Sequence, residues 1–272
     1  MSTQILKTCS YAFFSISLIL GIIRHDMAPE PYIELANEPQ FEAVGEVFIN
    51  GKAGGSCVLI DQYYVLTAAH GFINRGKLRA LDDYSIVFGD ETFSIDEFHA
   101  DTYHFDVNNA LRHDLFLIKL DRPCLGIEPA KINRESDELH SKVVGVGYGQ
   151  TGYPDDTFEN VVRYKLAGQN VIDSIGGPMF EGHHVIMYCD FDHPNNSSCN
   201  KLGTADPEPL EYICAGGDSG GGMFRSSPRG WELIGICKGH TTDLIQFTET
   251  GFYGQIMRWT RVSAMSDWID AI

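Results

Sequence analysis

From about residue 45 onward, the chain alternates short apolar, β-branched runs with turn punctuation, a rhythm that predicts strands rather than helices. Val47-Phe48-Ile49 ends at Asn50-Gly51, the dipeptide that favours a two-residue hairpin turn. Further strands are expected at 56–60, 63–67, 85–89, 92–95 and 115–120, so that about six fill the half up to about residue 130. A second series starts at 143–149 and continues at 161–164, 185–188 and 233–237. The two halves share no repeat in residue identity. Residues 24–44, with prolines and acids, read as an extended arm. The period changes only at the end. Ser263 is an expected N-cap, and Ala264, Met265, Trp268 and Ile269 form one apolar face of a helix over 263–271.

The N-terminus follows a different pattern. Lys7 precedes an apolar run over 11–23 that stops at Arg24-His25-Asp26. Such a run is too short to span a membrane and reads as a cleaved signal peptide over 1–22, which predicts a secreted or periplasmic protein. Seven cysteines become six once that leader is removed. Cys57, Cys124 and Cys237 lie in apolar runs and are expected as buried thiols. The rest of the composition narrows the class. A 43% hydrophobic content with 28 Gly and 11 Pro suits a turn-rich globular chain. The 20 basic against 37 acidic residues, a formal net charge of −17, argue against nucleic-acid partners and anionic membrane surfaces.

The chemistry concentrates in three places. Residues 214–222 read Cys-Ala-Gly-Gly-Asp-Ser-Gly-Gly-Gly. Such a sharp glycine-rich turn can hold the Ser219 hydroxyl clear of its backbone and aim nearby N–H groups at a developing oxyanion. A serine hydroxyl is a poor nucleophile unless a base removes its proton, and an imidazole titrates in the right range. His70 closes the run Val65-Leu66-Thr67-Ala68-Ala69-His70. Asp114 opens the apolar run in His113-Asp114-Leu115-Phe116-Leu117-Ile118, where a carboxylate is expected to be buried and hence partnered.

These three stretches, in the order His, Asp, Ser, resemble the motifs of the trypsin/chymotrypsin-like serine proteases. The resemblance covers about residue 45 to the C-terminus. It implies an all-β fold of two packed six-stranded antiparallel β-barrels, about 45–130 and 140–260, with a C-terminal α-helix. It implies a secreted, monomeric endopeptidase acting on protein or peptide substrates without metal or cofactor. His70, Asp114 and Ser219 would be the catalytic residues, and the Gly217 and Ser219 amides the oxyanion hole. By the same resemblance Asp218 would pair with a newly exposed N-terminal ammonium, for which Ile22 and Ile23 stand at the end of the leader. A disulfide between Cys199 and Cys214 is implied as well, with Cys189 as competing partner.

The chain departs from the family pattern in several places. Ala53 and Gly71 stand where the disulfide beside the histidine is expected. The stretch before Gly217 is short and offers no trypsin-like specificity aspartate. Lys238, in Cys237-Lys238-Gly239-His240, occupies the segment that would pair with substrate backbone, and a solvated lysine is the expectation there. His183, His184, Asp190, Asp192 and His193 have no diagnostic ligand spacing and read as a surface loop. Two rivals follow. One is a catalytically inactive or latent homologue acting as a binding module. The other is an esterase, whose usual hydrolase-fold order of residues differs from this one.

Overall fold

The computed structural model describes residues 23–74, 77–100, 113–150, 164–241 and 251–272. Its first lobe is a closed antiparallel barrel with strand order β1-β2-β3-β8-β7-β6. The strands are β1 (Val44–Ile49), β2 (Lys52–Leu59), β3 (Tyr64–Thr67), β6 (Tyr84–Phe88), β7 (Glu91–Ala100) and β8 (Phe116–Leu120). A small hairpin of β4 (Ile73–Asn74) and β5 (Lys77–Leu78) stands outside the barrel. Asn50 and Gly51 join β1 to β2 with φ of 51° and 73°, the two positive values that a tight hairpin turn needs. Along β6, Tyr84, Ile86 and Phe88 point inward while Ser85 and Val87 do not, and Phe93 and Ile95 of β7 follow the same period of two. With Val58, Leu66, Phe116 and Ile118 they fill the barrel.

The second lobe is a seven-stranded antiparallel sheet among the described residues, with order β10-β9-β13-β14-β15-β12-β11. Its strands are β9 (Lys142–Gly147), β10 (Leu166–Val171), β11 (Ser174–Phe180), β12 (His183–Asp190), β13 (Gly222–Ser227), β14 (Gly230–His240) and β15 (Ile256–Arg261). Met187, Ile213, Ile234, Met257 and Trp259 form its core. The all-β, two-lobed plan is therefore present, with a seven-stranded sheet where six strands were expected. Most of the strand expected at 161–164 lies outside the described residues, and Tyr164 itself precedes β10. β11 was not foreseen because Gly176-Gly177-Pro178 interrupts it. The chain accommodates them at the sheet edge through a register shift between Gly176 and Met179.

The ends differ from expectation too. Within the arm, Glu30–Ala36 form a helix, α1, with a proline in its first turn, an acidic Glu30 at its positive end, and Tyr32 and Ala36 buried. The Tyr32 hydroxyl donates to the Glu211 carbonyl at 3.2 Å, which fastens the arm to the second lobe. At the C-terminus, a 3₁₀ turn over Ser263–Met265 leads into α2 (Ser266–Asp270). Ser263 does not cap it. Its hydroxyl is used by the fully buried Glu138, which also receives Arg261 at 2.7 Å. Ala264, Met265 and Ile269 are buried as the apolar face predicts.

The lobes meet where chemistry was expected. Ser56 N–H in β2 donates to the Ser219 carbonyl at 2.9 Å, and the Thr260 hydroxyl in β15 donates to the His113 carbonyl at 2.6 Å. Gly220 has φ of +89°, and a Cβ there would collide with the Ser56 carbonyl and the Thr67 hydroxyl. Only glycine lets the lobes approach so closely at this point.

Candidate active site

His70 lies in a 3₁₀ turn (Ala69–Phe72) just past the buried strand β3, so its backbone is anchored in the barrel while its side chain stays 40% exposed. Asp114 immediately precedes β8 with its carboxylate buried. It has φ of 53°, a left-handed conformation that aspartate tolerates better than most residues. Its two oxygens grip His70 twice. Oδ1 accepts the His70 backbone N–H at 2.8 Å, and Oδ2 accepts Nδ1–H at 2.8 Å. An ionised carboxylate can only accept, so Nδ1 carries the proton and Nε2 presents its lone pair. Nε2 lies 2.8 Å from Ser219 Oγ. The imidazole is thus oriented by Asp114 and placed to take the hydroxyl proton of Ser219.

The loop carrying Ser219 is held from outside by three consecutive backbone donors at the end of β9. Tyr148 N–H donates to Ser56 Oγ at 2.9 Å, Gly149 N–H to Asp218 Oδ1 at 2.8 Å, and Gln150 N–H to the Gly216 carbonyl at 2.8 Å. Ser56 Oγ in turn donates to the Gly217 carbonyl at 2.9 Å. The trans peptide makes these anchors informative, because its C=O and N–H point in opposite directions. The Gly216 carbonyl is turned to Gln150 and the Asp218 carbonyl accepts Gly221 N–H at 2.7 Å. The N–H groups of Gly217 and Ser219 therefore point away from these anchors, and neither has an acceptor among the described residues. Two peptide N–H groups left without an acceptor in the loop that carries Ser219 are of the kind a developing oxyanion requires.

Burial opposes the charge on Asp114, but the His70 contacts and then the Lys238 ammonium outweigh it and hold the carboxyl below its ordinary range. Lys238 is not solvated. It is 13% exposed, with Nζ 3.5 Å from Asp114 Oδ2. Its position could not be read from the sequence, because Asp114 is remote along the chain. Ser56 was missed for the same reason: a serine inside an apolar strand carries no local signal.

Asp218 is buried, and its second oxygen accepts Ala215 N–H at 2.8 Å. Ile23 is buried and pairs as an isolated bridge with Tyr212, a residue near Asp218 whose phenol is pushed well up by burial and then by that carboxylate. The disulfide implied for Cys199 and Cys214 is not formed, since all six described cysteines are free thiols. Cys214 is buried beside Cys237, whereas Cys199 stands on the half-exposed turn over Ser197–Cys199, where Asn196 Nδ2 reaches its Sγ at 3.4 Å. Cys57, Cys124 and Cys237 are buried as expected.

The supposed surface loop also divides. His183 and His184 are exposed, but Asp190 and Asp192 are buried. They sit with Asp173 and Glu211 in one network, in which Asn170 Nδ2 donates to Glu211 Oε1 at 2.8 Å and Lys201 and Leu202 donate backbone N–H groups to Asp190 Oδ2. Burial first, then mutual repulsion, pushes Asp173 up to about 7, Asp192 to about 6 and Glu211 to about 9. Among the described residues no group of three His, Cys, Asp or Glu side chains is arranged to hold a metal ion.

A closed six-stranded antiparallel barrel, a second antiparallel sheet packed on it and a short C-terminal helix make this a chymotrypsin-like fold. The chain belongs to the Trypsin family, whose model matches residues 34–269. No curated protein matches it.

Proposed function

We propose that this protein is a secreted serine endopeptidase. The single observation that carries the reading is the imidazole of His70, which meets Asp114 Oδ2 and Ser219 Oγ at 2.8 Å on its two sides. Ser219 Oγ attacks a peptide carbonyl while Nε2 takes its proton, and Asp114 stabilises the imidazolium that forms. The oxyanion of the tetrahedral intermediate accepts from the Gly217 and Ser219 amides. The imidazolium returns its proton to the leaving amine, and water then hydrolyses the acyl-enzyme by the same exchange in reverse.

Removal of residues 1–22 as a signal peptide belongs to the same proposal, as does pairing of Asp218 with the N-terminal ammonium that this cleavage leaves on Ile23. The burial of Ile23 against Tyr212 supports counting residue 23 with the folded domain. Among the described residues no helix is long and apolar enough to cross a membrane.

The test is digestion of a diverse peptide library by the trimmed protein and by Ser219→Ala, with cuts read by mass spectrometry. Cleavage by the parent alone supports the reading and reveals the preferred residue. Absence of cleavage by both folded proteins points to a binding-only homologue.

A further inference from the structure

Asp114 Oδ2, the oxygen that holds the catalytic imidazole, has a second neighbour. Lys238 Nζ lies 3.5 Å from it, on a side chain that is 13% exposed and so turned inward. The carboxylate does not need this partner for hydrogen bonding, because His70 already supplies one N–H to each oxygen. What the lysine adds is charge.

Resting on the protease reading above, we infer that Lys238 is a positioning residue that tunes the base. Its ammonium shares Asp114 Oδ2 with the imidazole and offsets part of the carboxylate's field at His70. Contacts of 2.8 and 3.5 Å to one oxygen bring the ammonium within about 6 Å of Nδ1, close enough for a buried charge to act strongly. The sign is fixed: a cation near the ring disfavours the imidazolium, and its removal favours it.

The charged groups around the Lys238–Asp114 pair and on the strands that carry it are consistent with this. From β15 comes Arg258, a second cation whose guanidinium donates to the His240 carbonyl at 2.8 Å. Two residues along β14, His240 is pushed down by burial and then by Arg258. His113 adjoins Asp114, its buried ring edge-on to Phe180. Among the described residues, Asp114 is the anion that contacts Lys238. Burial, followed by the charge of Arg258, lowers the Lys238 pKa, and the carboxylate works the other way.

The test is an NMR titration of the His70 ring in the parent and in Lys238→Met, Lys238→Gln and Lys238→Arg. It is run beside the pH dependence of kcat/KM and of labelling by a peptidyl phosphonate. Loss of the charge in the Met and Gln variants is expected to raise the His70 midpoint by about one pH unit. The acidic limb of kcat/KM moves with it, so these variants lose about tenfold below that limb. The Arg variant keeps the parent midpoint. A midpoint that does not move in the folded Met and Gln variants overturns the inference. In the unsubstituted protein, the Nζ signal of Lys238 must also respond as His70 titrates, and an indifferent signal overturns it without any variant. If phosphonate and peptides both fail to react with the parent, the protease reading falls, while the ring titration still decides the role of Lys238.

Discussion

Ser56 Oγ, rooted in the first lobe, donates to the Gly217 carbonyl of the second at 2.9 Å while accepting Tyr148 N–H at the same distance. A buried hydroxyl thus locks one peptide of the loop whose amides would receive the oxyanion. Ser56→Ala leaves Tyr148 N–H and the Gly217 carbonyl without this partner. It is expected to lower kcat about tenfold, about 1.4 kcal/mol, with KM nearly unchanged. Steady-state kinetics on one peptide substrate check it, and a rise in KM alone would assign Ser56 to substrate binding instead.

The two-sided grip of Asp114 on His70 makes its charge hard to replace. Asp114→Asn can donate as well as accept, so it permits the wrong tautomer. Its kcat/KM should fall by about 10,000-fold, and Ser219→Ala at least as far. Active-site titration with a phosphonate separates lost chemistry from lost protein.

Stability should respond to pH through the buried carboxyl network of Asp173, Asp190, Asp192 and Glu211. These groups bind protons more tightly folded than unfolded, where carboxyls titrate near 4. Their contribution is therefore complete below about pH 4. It is lost as pH rises through about 6 for Asp192, 7 for Asp173 and 9 for Glu211. Asp173→Asn removes one of these ionisations and its repulsion of Asp190. Its Tm, measured by calorimetry from pH 5 to 9, should gain on the parent as pH rises. A constant difference would mean that Asp173 does not titrate in this range.

Thiol reactivity distinguishes the cysteines. Cys199 is half-exposed, whereas Cys57, Cys124, Cys189, Cys214 and Cys237 are buried, with burial pushing Cys57, Cys189 and Cys237 thiols upward. In native protein, alkylation mapped by mass spectrometry should reach Cys199 about 100-fold faster than the others. A Cys199–Cys214 disulfide in the purified protein would instead block both.

The mature N-terminus is the third expectation outside the site. Ile23 is buried against Tyr212, and the Arg24 backbone N–H donates to the Tyr32 hydroxyl at 3.2 Å. Mass analysis should therefore find a start at Ile23. A start beyond Ile23 would remove that bridge and sink the pairing proposed for Asp218.

What the sequence determined by itself was whatever is encoded in contiguous residues. His70, Asp114 and Ser219 were legible because each lies in a short motif whose spacing serves local backbone geometry. β6 and β7 were legible because one face of each is buried and the other wet, which writes a period of two into the chain. β11, α1 and the failed cap at Ser263 were not legible. In β11 the glycines and proline of a bulge mask the strand pattern, while a helix fastened by one buried tyrosine and a hydroxyl taken by Glu138 depend on neighbours distant in sequence. The tertiary structure alone decided that Lys238 faces Asp114, that Ser56 holds Gly217, and that Asp190 and Asp192 are buried with Asp173 and Glu211. Each of these contacts joins residues whose side chains have no local periodicity to reveal them. A charge or hydroxyl reads as solvated along the chain, and acquires its role only when the packing of two lobes removes the water around it.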